Sequence, residues 1–199
     1  MAIKDHYHQK LEYGCFYHIY NRTIDKQPMF KNDGNYVFFL NQYDKYLSAV
    51  LDTYAYCLLG NHFHLLIRVK DKNDIRSVEV QDKTAHEILA HQLQKFFQSY
   101  AMAFNKQHER IGSLFQKPFK RTKIDSDEYF TRIIFYIHAN PEHGIIDDFR
   151  SWQWSSYNRI LIEKPSSLKK KEVINWFGDK EDYIQYHQEN KELIILKSY

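Results

Sequence analysis

Cysteine is nearly absent. The chain has two, Cys15 and Cys57, and neither lies in a C-x-x-C pair, so no thiolate zinc site is written here. Both sit in strand-like apolar runs and read as buried thiols of a reducing compartment. No apolar stretch approaches the roughly 18 residues that a membrane-spanning helix requires, and Met1–Leu11 is polar and charged, without a signal-peptide core. A cytoplasmic protein is expected. There is no internal repeat and no glycine-rich loop to cradle a phosphate. Net charge is also low, +3, and by itself marks no partner. What is abundant is core material: 43% of the 199 residues are hydrophobic and 17% aromatic, enough for one domain and inconsistent with global disorder.

The small net charge conceals an uneven distribution. Between Lys95 and Lys123 stand Lys95, Lys106, Arg110, Lys117, Lys120, Arg121 and Lys123 against the single acid Glu109. This block is the electrostatic footprint of a polyanion-binding surface. Lys117, Lys120, Arg121 and Lys123 are candidate phosphate contacts, and Phe115 and Phe119 are candidates for stacking on bases or for the core.

Periodicity orders the elements. Cys15–Arg22 reads as a strand; Asn32 or Asp33 caps a helix to about Leu51. Tyr54–Leu59 and His62–Val69 form a hairpin about the reversal at Gly60-Asn61. Asp71–Lys83 is a loop. Thr84–Lys106 carries one apolar helical stripe that includes Tyr100, a structural tyrosine. Phe119–Ile124 is a fourth strand. Ser126 caps a helix to about Ala139, which stops near Asn140-Pro141, with Gly144 just beyond. The order predicts an α+β fold: helices over a mainly antiparallel sheet in residues 1–146, and a helical C-terminal extension in 147–199 packed on the same domain. In that extension, Lys169–Lys171 reads as a solvated helix start.

Within the third strand, His62 and His64 project from one face, Cβ atoms about 7 Å apart, while Phe63, Leu65, Ile67 and Val69 face the core. Two imidazoles so spaced suit one divalent metal if a third group arrives from elsewhere; they equally suit a half-buried strand with satisfied histidines. On the later helix, Tyr136 and Asn140 are neighbours one turn apart. With the Asn140 carbonyl as third ligand, the set is two imidazoles and one oxygen, suited to Mg²⁺ or Mn²⁺, though imidazoles also take Zn²⁺. A phenol beside such a metal implies attack on a phosphodiester; a boundary tyrosine and an ordinary helix end are the plain alternatives. His138 falls opposite the core face and is expected to meet substrate or solvent.

Taken together, the motifs resemble the single-tyrosine HUH transposases, specifically the REP-associated tyrosine transposases and related insertion-sequence transposases. The resemblance runs in order through Tyr17–Arg22, Tyr56–Val69 with His62-Phe63-His64, and Tyr100–Lys120 with Asn105, Gly112-Ser113-Leu114-Phe115-Gln116 and Phe119-Lys120. It continues through Tyr136-Ile137-His138-Ala139-Asn140-Pro141 and Trp154-Ser155-Ser156-Tyr157. It implies a ferredoxin-like HUH domain with His62, His64 and Asn140 as metal ligands and Tyr136 as nucleophile. The implied substrate is single-stranded DNA, often beside a hairpin, cleaved and rejoined through a 5′-phosphotyrosine. The insertion-sequence branch commonly has Gln where Asn140 stands, so this chain sides with the REP-associated branch. The resemblance leaves homodimer and monomer both open. A catalytically silent DNA-binding protein of the same fold is a second reading. A histidine-triad nucleotide hydrolase is a third, disfavoured because Leu66 occupies the position of its third histidine.

Overall fold

The computed structural model describes residues 9–75, 82–142 and 145–197, with side chains up to residue 191. The chain runs β1 (Phe16–Arg22), α1 (Asp33–Leu47), β2 (Leu51–Leu59), β3 (His62–Val69), α2 (Ala85–Gln107), β4 (Lys120–Ile124) and α3 (Asp127–Ala139), then α4 (Tyr157–Leu161), α5 (Lys170–Phe177) and α6 (Lys180–Lys197). The strands form one sheet in the order β2-β3-β1-β4, with every neighbouring pair antiparallel. This is the β-α-β-β-α-β arrangement of a ferredoxin-like fold, within an α+β architecture.

Local chemistry explains the boundaries. Asn32 accepts from the Asn35 amide and caps α1, Thr84 and Glu87 close a reciprocal capping box on α2, and Ser126 accepts from the Tyr129 amide on α3. Helix α1 stops at Leu47, four residues before the expected end at Leu51, because Leu51 pairs with Val69 and opens β2. The apolar pair Val50-Leu51 fits either period, and strand pairing takes it. The expected loop 71–83 contains a short 3-10 turn at Lys72–Asp74; its residues 76–81 lie outside the described residues, as do Met1–His8 and Gly144.

Two apolar layers flank the sheet. On one face Tyr17, Ile19, Phe63, Leu65 and Ile67 meet Phe39, Leu93, Phe96 and Tyr100 of α1 and α2. On the other, Ala55, Cys57, Leu66 and Ile124 meet Phe130, Ile134 and Ile137 of α3 together with Phe149, Tyr157, Val173 and Tyr183 of the C-terminal segment. That segment also covers the edge strand β2. The Leu58 amide donates to the Trp154 carbonyl, the Ser156 amide to the Tyr56 carbonyl, and the Lys169 amide to the Thr53 carbonyl, each at 2.9 Å. An exposed edge that would template pairing with another chain is thereby satisfied internally. Among the described residues, no helix is long and apolar enough to cross a membrane.

Candidate active site

The strand alternation that buries Phe63 and Leu65 sends His62 and His64 to the face shared with α3. Their rings stand 5.3 Å apart between centroids. His62 Nδ1 lies 2.7 Å from Asn61 Oδ1. The Asn61 amide is oriented by its own nitrogen, which donates to the Lys26 carbonyl at 2.9 Å. Its oxygen therefore faces His62 and can only accept, so the imidazole proton resides on Nδ1 and the Nε2 lone pair is free.

His64 is held by a residue that sequence reasoning passed over. His18 Nε2 of β1 lies 2.9 Å from His64 Nδ1, and when His64 is the donor, its Nε2 is likewise left as a lone pair. Tyr20, His18 and His64 form a nearly parallel set of rings, with centroids 4.9 to 5.5 Å apart. The available signal was the alternation in β1, which gives His18, Tyr20 and Arg22 one face and places Tyr20 opposite His64 and Arg22 opposite His62. Burial holds His64 well below the usual imidazole range, with His18 and His62 adding repulsion. Burial and the neighbouring Arg22 push His62 down to about 4. Both rings are neutral at pH 7, as ligation requires.

Helix α3 brings Tyr136 to this face. Its ring stands edge-on to His64 at 5.6 Å and to His18 at 5.9 Å, while 43% of the residue remains exposed. One turn later Asn140 is buried, and its Nδ2 donates to the Tyr136 carbonyl at 2.7 Å. That bond fixes the amide orientation and reserves Oδ1 as the acceptor end. Two imidazole nitrogens and an amide oxygen are donor types that suit a divalent cation such as Mg²⁺ or Mn²⁺. Among the described residues, no group of three His, Cys, Asp or Glu side chains is placed to hold a metal.

Other expected residues divide between the two faces of the sheet. Lys120 pairs with Tyr20 and lies over its ring at 5.6 Å, on the histidine face. Arg121 and Lys123 pair with Ile19 and Tyr17 and so belong to the opposite face. There Arg121 is buried with its Nε donating to the Gln9 carbonyl, and Lys123 bonds Glu12 at 2.9 Å. Adjacent strand residues point oppositely, so neither side chain faces the histidines. Lys117 is exposed on the loop before β4. Phe115 is 4% exposed, packed between Phe97 and Tyr100, and is a core ring; Phe119 is half-buried against Phe97. Tyr100 is buried and donates to the Met29 carbonyl, consistent with the structural reading.

His138 corrects its expectation. It is fully buried, not open to substrate or solvent, because α6 covers the flank of α3 that the helical period leaves outside the sheet contact. Its Nε2 lies 2.8 Å from Ser156 Oγ and its Nδ1 3.0 Å from His187 Nε2, and His187 Nδ1 lies 2.7 Å from the Tyr183 carbonyl. A neutral chain has one consistent set of hydrogens: Ser156 donates to His138, His138 to His187, and His187 to the carbonyl. The helix carrying Tyr136 is thus tied by polar bonds to the tail.

The chain matches no protein-family model. Over 111 residues it is 26% identical to a curated Haemophilus influenzae protein described as "Putative REP-associated tyrosine transposase", a match spanning 54% of this chain and 60% of that protein. A solved structure described as "Structure of the REP associates tyrosine transposase bound to a REP hairpin" shares the fold, with a TM-score of 0.62 at 15% identity, covering 80% of this chain and 87% of that one. The chain is thus similar in sequence to a putative REP-associated tyrosine transposase, of whose length it spans 60%, and similar in fold to a solved one. That solved protein is bound to a REP hairpin.

Proposed function

We propose that this chain is a metal-dependent single-stranded DNA transesterase in which Tyr136 is the nucleophile and His62, His64 and Asn140 hold Mg²⁺ or Mn²⁺. The observation that carries the reading is the convergence on one sheet face of an exposed phenol with two neutral imidazoles, the His62 tautomer being set by Asn61 so that its Nε2 lone pair is free. The relatives, one of them bound to a REP hairpin, support DNA as the substrate class.

The Tyr136 oxygen attacks phosphorus, a bond from tyrosine to the 5′-phosphate forms, and the bond from phosphorus to the 3′-oxygen breaks. The phenolic proton leaves to solvent, and the departing oxygen takes one up as a free 3′-OH. Because a phosphodiester bond is retained, the strand can be rejoined by the reverse attack. A bound divalent cation would neutralise charge on the phosphate and on the leaving oxygen. The protein's own contribution is placement. His18 and His64 wall the Tyr136 ring edge-on, and the Asn140 bond to the Tyr136 carbonyl couples the ligand amide to the backbone of the nucleophile.

The test is incubation with labelled single-stranded hairpin DNA and Mn²⁺, followed by denaturing electrophoresis. A denaturant-resistant protein–DNA adduct is expected, and it should vanish in Tyr136→Phe, in His64→Ala and in EDTA. An adduct retained in Tyr136→Phe but lost in Tyr100→Phe would move the nucleophile, and cleavage without an adduct would establish hydrolysis instead.

A further inference from the structure

Arg22 is the last residue of β1, on the histidine face, directly opposite His62 in the sheet. Its backbone is committed: the Arg22 amide donates to Asn21 Oδ1, and the Arg22 carbonyl accepts from the Gln116 amide, both at 2.9 Å. Its side chain is not. Among the described residues, Arg22 Nε is the buried side-chain nitrogen or oxygen left without a hydrogen-bond partner, and the ion pairs found on the surface use other arginines: Arg68, Arg110, Arg132 and Arg150.

A buried guanidinium N–H without an acceptor is costly, the more so because the group is charged. Its position adds to the cost, because Arg22 stands directly opposite His62 in the sheet and its charge would repel a divalent cation bound there. Stability would be better served by an apolar side chain. The arrangement becomes favourable when an anion lies between guanidinium and cation, satisfying the N–H fork and screening the repulsion. Phosphodiester oxygens match a planar two-pronged donor, whereas an ammonium offers only a point charge.

We infer that Arg22 is a phosphate-binding residue of this site, gripping a backbone phosphate of the DNA strand laid across His62 and His64. The inference rests on the DNA reading of the same site. It adds a residue on the strand opposite the histidines, at the junction with the loop whose Gln116 amide holds it. Binding of metal and of DNA phosphate should therefore be cooperative, since the phosphate screens the repulsion between Arg22 and the cation, and the cation adds its own attraction for the phosphate.

The experiment uses the full chain in a Tyr136→Phe background, so that binding is measured without chemistry. The probe is a fluorescein-labelled single-stranded hairpin oligonucleotide with unpaired flanks, titrated with and without Mn²⁺. Arg22→Met keeps the aliphatic stem and removes the unpaired N–H groups. It is expected to weaken DNA binding at least about tenfold while leaving the melting temperature unchanged or raised. Arg22→Lys should recover only part of the loss. Replacing single backbone phosphates in the probe with neutral methylphosphonates should weaken the parent at one position and leave Arg22→Met indifferent there. Equal DNA affinity of parent and Arg22→Met would overturn the assignment, as would a loss of affinity matched by a loss of folding in Arg22→Met with full affinity kept in Arg22→Lys. If the parent itself binds no DNA, the DNA reading of the site fails first, and Arg22 falls with it; the two failures are distinct.

Discussion

Asn61 performs no chemistry on a phosphodiester, yet it decides which nitrogen His62 presents. Its amide is pinned by the Lys26 carbonyl on one side and accepts from His62 Nδ1 on the other. Carbonyl and carboxamide acceptors behind metal-binding histidines typically contribute about 10–100-fold in metal affinity. Asn61→Ala should accordingly weaken Mn²⁺ binding by about that factor, as read by isothermal titration calorimetry, with little effect on the melting temperature. At this scale the dyad itself was legible: a period of two and a hairpin signal suffice to place both imidazoles on one face. The support was not, since His18 and Lys26 reach the dyad only through sheet pairing and a turn. Arg22 was legible as part of a strand but not as an unpaired charge, because pairing is a property of neighbours.

Helix α3 shows what a single element can and cannot declare. Its cap at Ser126, its core stripe and its end at Asn140 follow from local rules, as does the adjacency of Tyr136 to Asn140. The fate of His138 does not. A helix seen alone has an inside and an outside; this one is covered on a further flank by α6, and the histidine there becomes part of a neutral chain with Ser156 and His187. Burial pushes His187 down to about 4 and holds His138 well below the usual range, where the neighbouring His187 adds to the effect. In the unfolded chain both titrate near 6.5. Between those values the unfolded state binds protons that the fold refuses, so stability rises with pH and is lost as pH falls below about 6.5, levelling off near the folded values. Each refused proton amounts to about 1.4 kcal/mol per pH unit. Denaturant midpoints should thus drop between pH 7 and 5, and a His187→Phe variant that folds should show a shallower drop.

For the whole molecule, the tail acts as a structural layer. Phe149, Tyr157, Ile160, Val173 and Tyr183 share one apolar cluster with α3 and the histidine face of the sheet, and residues near 154–156 and 168 cover the edge of β2. Burial of each such large side chain is worth about 1.5–3 kcal/mol. A chain ending at Ile146 would expose this cluster, the β2 edge and the α3 flank together. It should be aggregated or largely unfolded by circular dichroism, and a cooperative transition like that of the full chain would refute this role for the tail. The basic block is also redistributed at this scale: strand alternation sends Lys120 toward the histidines and Arg121 and Lys123 away from them.

The sequence alone determined the element order, the α+β class, the histidine face and the spacing of Tyr136 and Asn140, because each depends on periods and caps that neighbouring residues set. Tertiary structure decided which groups surround them. It placed His18 behind His64, buried His138 under α6, and left the Arg22 Nε, on the strand opposite His62, without a hydrogen-bond partner among the described residues. The physical reason is common to all three. Hydrogen bonds and burial are pairwise properties of residues distant in the chain, and a linear pattern specifies a side chain's direction but not what it meets there.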